Sequence, residues 1–252
     1  MGINKIFDQT PVEARLKSFH GEDWHTPKGR IIRDIVYAVD TGLITMVTFM
    51  AGVSISLPSA RQVMLAGLAN ALSGMLAIFF GSYISTKAQK DFFESQIERE
   101  RQELITMPEK ETEEVREILM DMGFSEHEAE VGVKRITADH ETWLKFMIQE
   151  EIGLVPGTTD SPLEIGLISA GSFLLGIIPP FLPFALGMPV HQALLTSFAL
   201  VLAFMFAVGV AKTRLTKLHW LKSGVETLAV GAISCGLGLV LGRVAALLMY
   251  HK

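Results

Sequence analysis

The chain holds one cysteine, Cys235, inside an apolar run, which excludes an internal disulfide and a cysteine-rich zinc site. Residues 1–34 are polar and charged and lack the apolar core of a secretory signal, so membrane insertion has to come from internal segments. Basic residues are in deficit, 22 Lys and Arg against 27 Asp and Glu, and no basic patch is present, which argues against nucleic acid as a partner. There is no GxxxxGK[ST] loop, hence no sign of direct ATP driving. The seven histidines, among them His127, His140, His191 and His219, form no metal-binding pair at helical spacing. No Ser, His and Asp constellation stands out either, and the reading is of a protein that is not an enzyme.

What the chain has in excess is apolar residues, 49% of the total, gathered in blocks. They run over about residues 35–57, 63–84, 163–182, 190–211 and 223–250. About 20 apolar residues suffice to cross a hydrocarbon core as a helix, so five transmembrane helices are expected. The second block has no breaker at its end and continues as helix through Lys87 and Lys90. Pro179, Pro180 and Pro183 are expected to end or kink the third. Gly238 and Gly242 have the spacing that lets spans pack closely.

Basic residues mark one side. Lys5, Arg15, Lys17, Lys28, Arg30 and Arg33 precede the first block, and Lys212, Arg214, Lys217 and Lys222 lie between the fourth and fifth. The positive-inside rule then places the N-terminus, the segment between the second and third blocks, and the fourth-to-fifth turn in the cytosol.

That middle segment, Ile97 to Leu154, is acidic and patterned as several helices. One follows Pro108 and stops at Gly123, and Ser125 with Glu128 has the form of a capping box for the next. Another is expected from about Ala138 to Glu151. Glu100 and Glu103 sit three apart on one helix face, Glu111 and Glu114 repeat the spacing, and Met147 with Glu150 and Glu151 closes the segment. Carboxylate oxygens with a thioether suit a divalent transition metal. The same residues also fit a solvated face laced with intrahelical ion pairs, with Met147 in a core.

The motifs RDIVYAVDTGLIT, ANALSGMLAIFFGSYIS with QIERERQEL, PEKETEEV, FMIQEEIGL, SPLEIGLISAGSFLLGIIPPFLP and SGVETLAVG with LGRV resemble, in order and spacing, the vacuolar iron transporter family over about Arg33 to Leu248. The resemblance implies an all-α integral membrane protein, a homodimer of five-span subunits, with a cytosolic helical metal-binding domain inserted between helices two and three. The expected division is a leader at 1–34, helices one and two at 35–86, the metal-binding domain at 87–158, and helices three to five at 159–252. It implies export of ferrous iron, Fe2+, from the cytosol in exchange for protons, with Mn2+ or Zn2+ as further ions.

Carried over by position, the domain ligands fall on Glu100, Glu103, Glu111, Glu114, Met147 and Glu151, while Ile148 replaces a second methionine of the family pattern. The spans depart further. Asp40, Thr41 and Gly42 stand where the family has Asn-Asp-Gly, Ile78 stands at a methionine position, and Gly81, Ser82 and Tyr83 replace Gly-Glu-Tyr. Asn70 matches, and Met75 lies one turn before Ile78. Asp40, Asn70, Met75 and Ser82 are therefore the expected transport path. A carboxylate inside a span costs on the order of 3 kcal/mol if unpaired, which marks Asp40 as functional unless it reaches water at a span end. The altered spans leave a second reading open, a membrane-anchored protein that binds or senses iron without moving it. The host membrane would be the plasma membrane in a prokaryote and a vacuole-like organelle in a eukaryote.

Overall fold

The computed structural model describes residues 28–153, 160–213 and 219–250. The leader up to Pro27 and the basic residues Arg214 and Lys217 lie outside the described residues. Among the described residues there are eight helices and no strand: α1 Lys28–Val53, α2 Ala60–Thr106, α3 Pro108–Asp121, α4 Glu126–Ile136, α5 His140–Glu150, α6 Pro162–Ala185, α7 Val190–Ala211 and α8 Trp220–Tyr250. Five of them, α1, α2, α6, α7 and α8, are long and apolar enough to cross a membrane. The first helix starts at Lys28, inside the stretch read as leader, because Arg30, Arg33 and Asp34 are all compatible with a helical turn and nothing breaks it before Ile35. Helix α2 runs without interruption for 47 residues, about 70 Å at 1.5 Å per residue, and turns from apolar to charged after Ile84.

The helices divide into two compact units. One, Ile84–Pro162, contains the charged half of α2 with α3, α4 and α5. Its core is Ile97 and Leu104 from α2, Val115 and Leu119 from α3, Ala129 and Val133 from α4, and Trp143, Leu144, Met147 and Ile148 from α5. In each helix these recur at spacings of three, four or seven, so a single stripe per helix faces inward and the charged faces stay wet. Burying a side chain such as Leu144 or Ile148 contributes about 1.5–3 kcal/mol, which is what holds helices this short.

Local signals set their ends. Pro108 is the first residue of α3, where its missing N–H costs nothing. Gly123 takes φ +95°, a left-handed conformation that closes the helix with little strain only for glycine. At the start of α4 the Ser125 backbone N–H donates to Glu128 Oε2 at 2.9 Å, one half of the expected capping box. Asp139 caps α5 by accepting from the Thr142 N–H at 2.9 Å.

The other unit, Lys28–Tyr83 with Leu163–Lys252, holds the apolar helices. Apolar burial drives little association inside a lipid phase, so close packing and interhelical hydrogen bonds carry it. A Cβ on Gly42 would come within 2.5 Å of the Phe173 carbonyl oxygen, and one on Gly176 would strike the Val39 carbonyl oxygen, so α1 and α6 cross in direct backbone contact. Gly238 and Gly242 of α8 lie against Thr48 and Gly52 of α1. Between helices, Ser223 Oγ donates to the Gly209 carbonyl at 2.8 Å and Ser197 Oγ to the Pro180 carbonyl at 2.6 Å. Helix α6 continues through Pro179, Pro180 and Pro183 rather than ending there. The Ser197 bond ties α7 to α6 within this proline-containing turn.

Candidate metal centre

Three helices each bring one carboxylate to the same point. Glu100 comes from α2, Glu111 from the first turn of α3, and Glu151 from the residue that ends α5. One oxygen from each lies within 4.8 Å of the other two. Oxygens ligating one divalent ion at roughly 2.1 Å stand about 3–4 Å apart, so a small closing rotation of the side chains would let all three reach one ion.

Glu100 is 3% exposed and Glu111 1% exposed, and no donor reaches Glu100 Oε1 or either oxygen of Glu111. Burying a carboxylate without a donor or a cation is strongly unfavourable, and the response is to hold a proton. Burial, followed by the charge of Glu151, pushes Glu100 up to about 8. Burial, followed by the charge of Glu114 and opposed by Lys110, pushes Glu111 up to about 7. At neutral pH the cluster therefore carries protons that a divalent cation would displace.

The remaining acidic residues of the segment separate into different environments. Glu103 accepts from Arg99 Nε at 3.0 Å, and Glu114 accepts from Lys110 Nζ at 3.0 Å. They stand close enough to act on the charge of Glu111, yet each is half-buried and held by a basic partner on its own helix. Glu150 is exposed and outside the convergent group. Met147 is fully buried in the core beside Ile148, one turn from Glu151 on α5. Arg99 and Lys110 were not singled out from the sequence, although Arg99 to Glu103 and Lys110 to Glu114 are both i,i+4 pairs that spacing alone could have found.

In the apolar unit, Asp40 lies on α1 with its Oδ1 buried and without a hydrogen-bond donor. Asn70, Met75 and Ser82 are half-buried on α2. No hydrogen bond or ion pair joins any of them to Asp40 among the described residues. Asp40 instead feels the charge of Lys212, at the end of α7, whose Nζ donates to Thr227 Oγ1 at 3.2 Å. The sequence alone marks Lys212 only as one of the basic residues between the fourth and fifth blocks.

Comparison with known proteins places the chain in context. The model of the VIT family matches residues 32–243. Vacuolar iron transporter 1 of Arabidopsis thaliana is 31% identical over 234 residues, which cover 93% of each chain. Vacuolar iron transporter 1 of Eucalyptus grandis is 31% identical over 222 residues, 88% of this chain and 89% of that protein. Protein CCC1 of Saccharomyces cerevisiae is 25% identical over 215 residues, 82% of this chain and 66% of the yeast protein.

Proposed function

The chain belongs to the VIT family, and from that premise we propose that it exports ferrous iron from the cytosol across a membrane in exchange for protons. Metal transport itself follows from the family and from relatives named as vacuolar iron transporters. The direction and the proton coupling are our reading. So are Mn2+ and Zn2+ as further ions, a homodimeric assembly, and a cytosolic N-terminus and α2–α5 segment.

The observation that carries the reading is the convergence of Glu100, Glu111 and Glu151, with Glu100 Oε1 and both oxygens of Glu111 buried and reached by no donor. Such a site holds protons until a divalent ion arrives, then releases them. Glu103 and Glu114 keep further negative charge beside it while Arg99 and Lys110 moderate the total. The result is a cluster that gathers ions from the cytosol without holding them too tightly to give up. Met147 is assigned a supporting place next to Glu151, where its sulfur adds a soft donor for a transition metal. Glu150 lends surface charge.

Within the spans, Asp40 is the residue assigned to alternate between cation and proton, with Asn70, Met75 and Ser82 as polar or sulfur groups along the path. The exposed apolar face of α2, with Leu65, Leu68, Leu72, Leu76 and Phe80, supports either lipid or a second subunit beside that path. The vacuolar relatives favour an organelle membrane in a eukaryotic host, and a prokaryotic host would place the protein in its plasma membrane.

The test is Fe2+ uptake into sealed, anaerobic proteoliposomes with and without a proton gradient, beside a Glu100→Ala/Glu103→Ala/Glu111→Ala/Glu114→Ala variant. Gradient-stimulated flux that drops in the variant supports an exchanger fed by the cluster. Tight iron binding without flux under either condition would leave a membrane-anchored iron binder or sensor. The separation of Asp40 from any hydrogen-bonded link to Asn70 or Ser82 is the feature that favours that second reading.

A further inference from the structure

Lysines at the ends of membrane helices ordinarily extend outward to headgroups and water. Lys212, at the C-terminal end of α7, turns the other way. Its side chain is half-buried and its Nζ donates to Thr227 Oγ1 at 3.2 Å, a hydroxyl on α8 whose own proton goes to the Ser223 carbonyl at 3.0 Å. Thr227 and Ser223 are both buried. Gly209 makes room for this arrangement, since a Cβ there would sit 2.7 Å from the Ser223 carbonyl oxygen and 2.8 Å from Thr227 Oγ1.

Asp40 is close to the same place. Helices α1 and α8 run side by side in a constant register, Thr48 against Gly238 and Gly52 against Gly242. The same offset carried back sets Asp40 level with Val230, one turn from Thr227. Asp40 Oδ1 is buried with no donor, and among the described residues the charge that acts on Asp40 is that of Lys212. An ammonium and a carboxylate thus face one region between α1, α7 and α8.

We propose that Lys212 is a tethered cation that balances Asp40 while the path holds no metal, and that an incoming divalent ion enters by displacing the ammonium from the field of Asp40. This rests on the reading of Asp40 as part of a cation path. Its consequence is selectivity by charge. A monovalent ion replacing the ammonium leaves the charge balance as it was and gains nothing over the tethered group, whereas a divalent ion brings a second charge. Lys212 acts through Asp40 and is a positioning residue rather than a ligand.

The test uses Mn2+ and the full chain, comparing wild type, Lys212→Gln and Lys212→Arg in sealed proteoliposomes with and without excess K+. Loss of one like charge beside the site should lower the KM for Mn2+ about three- to tenfold in Lys212→Gln and make K+ an inhibitor. The maximal rate should fall, because no ammonium returns to drive the ion out, and Lys212→Arg should keep the wild-type KM. An unchanged or raised KM in Lys212→Gln overturns the proposal.

A second arm measures Mn2+ binding in detergent by electron paramagnetic resonance, in a Glu100→Ala/Glu111→Ala/Glu151→Ala background. Lys212→Gln should tighten binding there, and Asp40→Asn should erase the gain. A gain that survives Asp40→Asn, or no gain, overturns the proposal. If wild type shows no flux, the transport reading fails and the binding arm alone decides the role of Lys212. If Lys212→Gln does not fold, Thr227→Val, which removes the hydrogen bond but no charge, replaces it in both arms. New K+ inhibition or tighter Mn2+ binding sustains the proposal, and wild-type behaviour in both overturns it.

Discussion

Binding of a divalent ion to the Glu100, Glu111 and Glu151 cluster should release protons in an amount fixed by the two buried carboxyls. With Glu100 near 8 and Glu111 near 7, the metal-free cluster holds about 1.4 protons at pH 7, about 1.9 at pH 6 and about 0.1 at pH 9. A bound cation requires both groups ionised, so those protons leave with each ion taken up. The apparent affinity should accordingly weaken about fiftyfold from pH 7 to pH 6, and gain about tenfold from pH 7 to pH 8. Titration calorimetry with Mn2+ on the full chain in detergent, repeated in buffers of different ionisation enthalpy, reads the proton count directly. Glu100→Gln/Glu111→Gln should abolish the release and most of the binding. If the wild-type protein binds Mn2+ at pH 7 while releasing less than about 0.3 proton, the two carboxyls are already ionised without metal, and the account of the site is wrong.

The same carboxyls make the metal-free protein pH-sensitive in the opposite direction from ordinary surface acids. Their folded values lie above the usual carboxyl range, so the stability they contribute is fully present below about pH 4.5 and is lost as pH rises through about 7 and 8, and the apparent unfolding temperature should decline over that window unless Mn2+ is added. Glu128 and Asp139, held low by their capping hydrogen bonds, act the other way and lose their contribution as pH falls through the carboxyl range, which limits the gain at the acid end. Lys110→Ala should tighten Mn2+ binding by about two- to threefold, since it removes an exposed positive charge beside Glu111 and Glu114, and calorimetry showing weaker binding would contradict this. Gly176→Ala should cost about 1–3 kcal/mol or more by driving a methyl into the Val39 carbonyl, whereas Gly171→Ala, facing open space, should leave the apparent unfolding temperature unchanged.

Periodicity and end signals exposed most of the helical layout in the sequence. Pro108, Gly123 and the Ser125 with Glu128 pair each act within four residues, so local chemistry decides them before tertiary packing enters. The unbroken α2 was legible for the same reason, because nothing between Val63 and Thr106 disfavours helix strongly enough to stop it. The site was legible only as a set of residues. Three-residue spacing puts Glu100 with Glu103 and Glu111 with Glu114 on shared faces, but which member turns inward depends on how α2, α3 and α5 meet. Adjacent Glu150 and Glu151 are about 100° apart on a helix, and only the second joins the cluster. Lys212 was hidden because its position follows from a long side chain bending back over its own helix end, and no sequence period records that.

The two sets of carboxylates also differ in how they meet their cost. In the helical unit, Glu100 Oε1 and both oxygens of Glu111 lack a donor, and the two carboxyls lower the cost of burial by keeping protons, which a divalent ion would displace. In the apolar unit, Asp40 has no donor on Oδ1 and feels the charge of Lys212, which is tethered to the chain, so an ion exchanged there would have to move a side chain as well. Capture and passage would then respond to different variables: capture to the pH on the side of the cluster, passage to the charge of the competing cation. Raising Mn2+ at low pH should restore uptake limited by the cluster, because protons and metal compete for the same oxygens. It should not make K+ an inhibitor in wild type, where Lys212 would keep monovalent ions out of the field of Asp40 at any metal concentration. A protein in which both properties shifted together with pH would have one site controlling both steps, and the separation argued from these residues would fall.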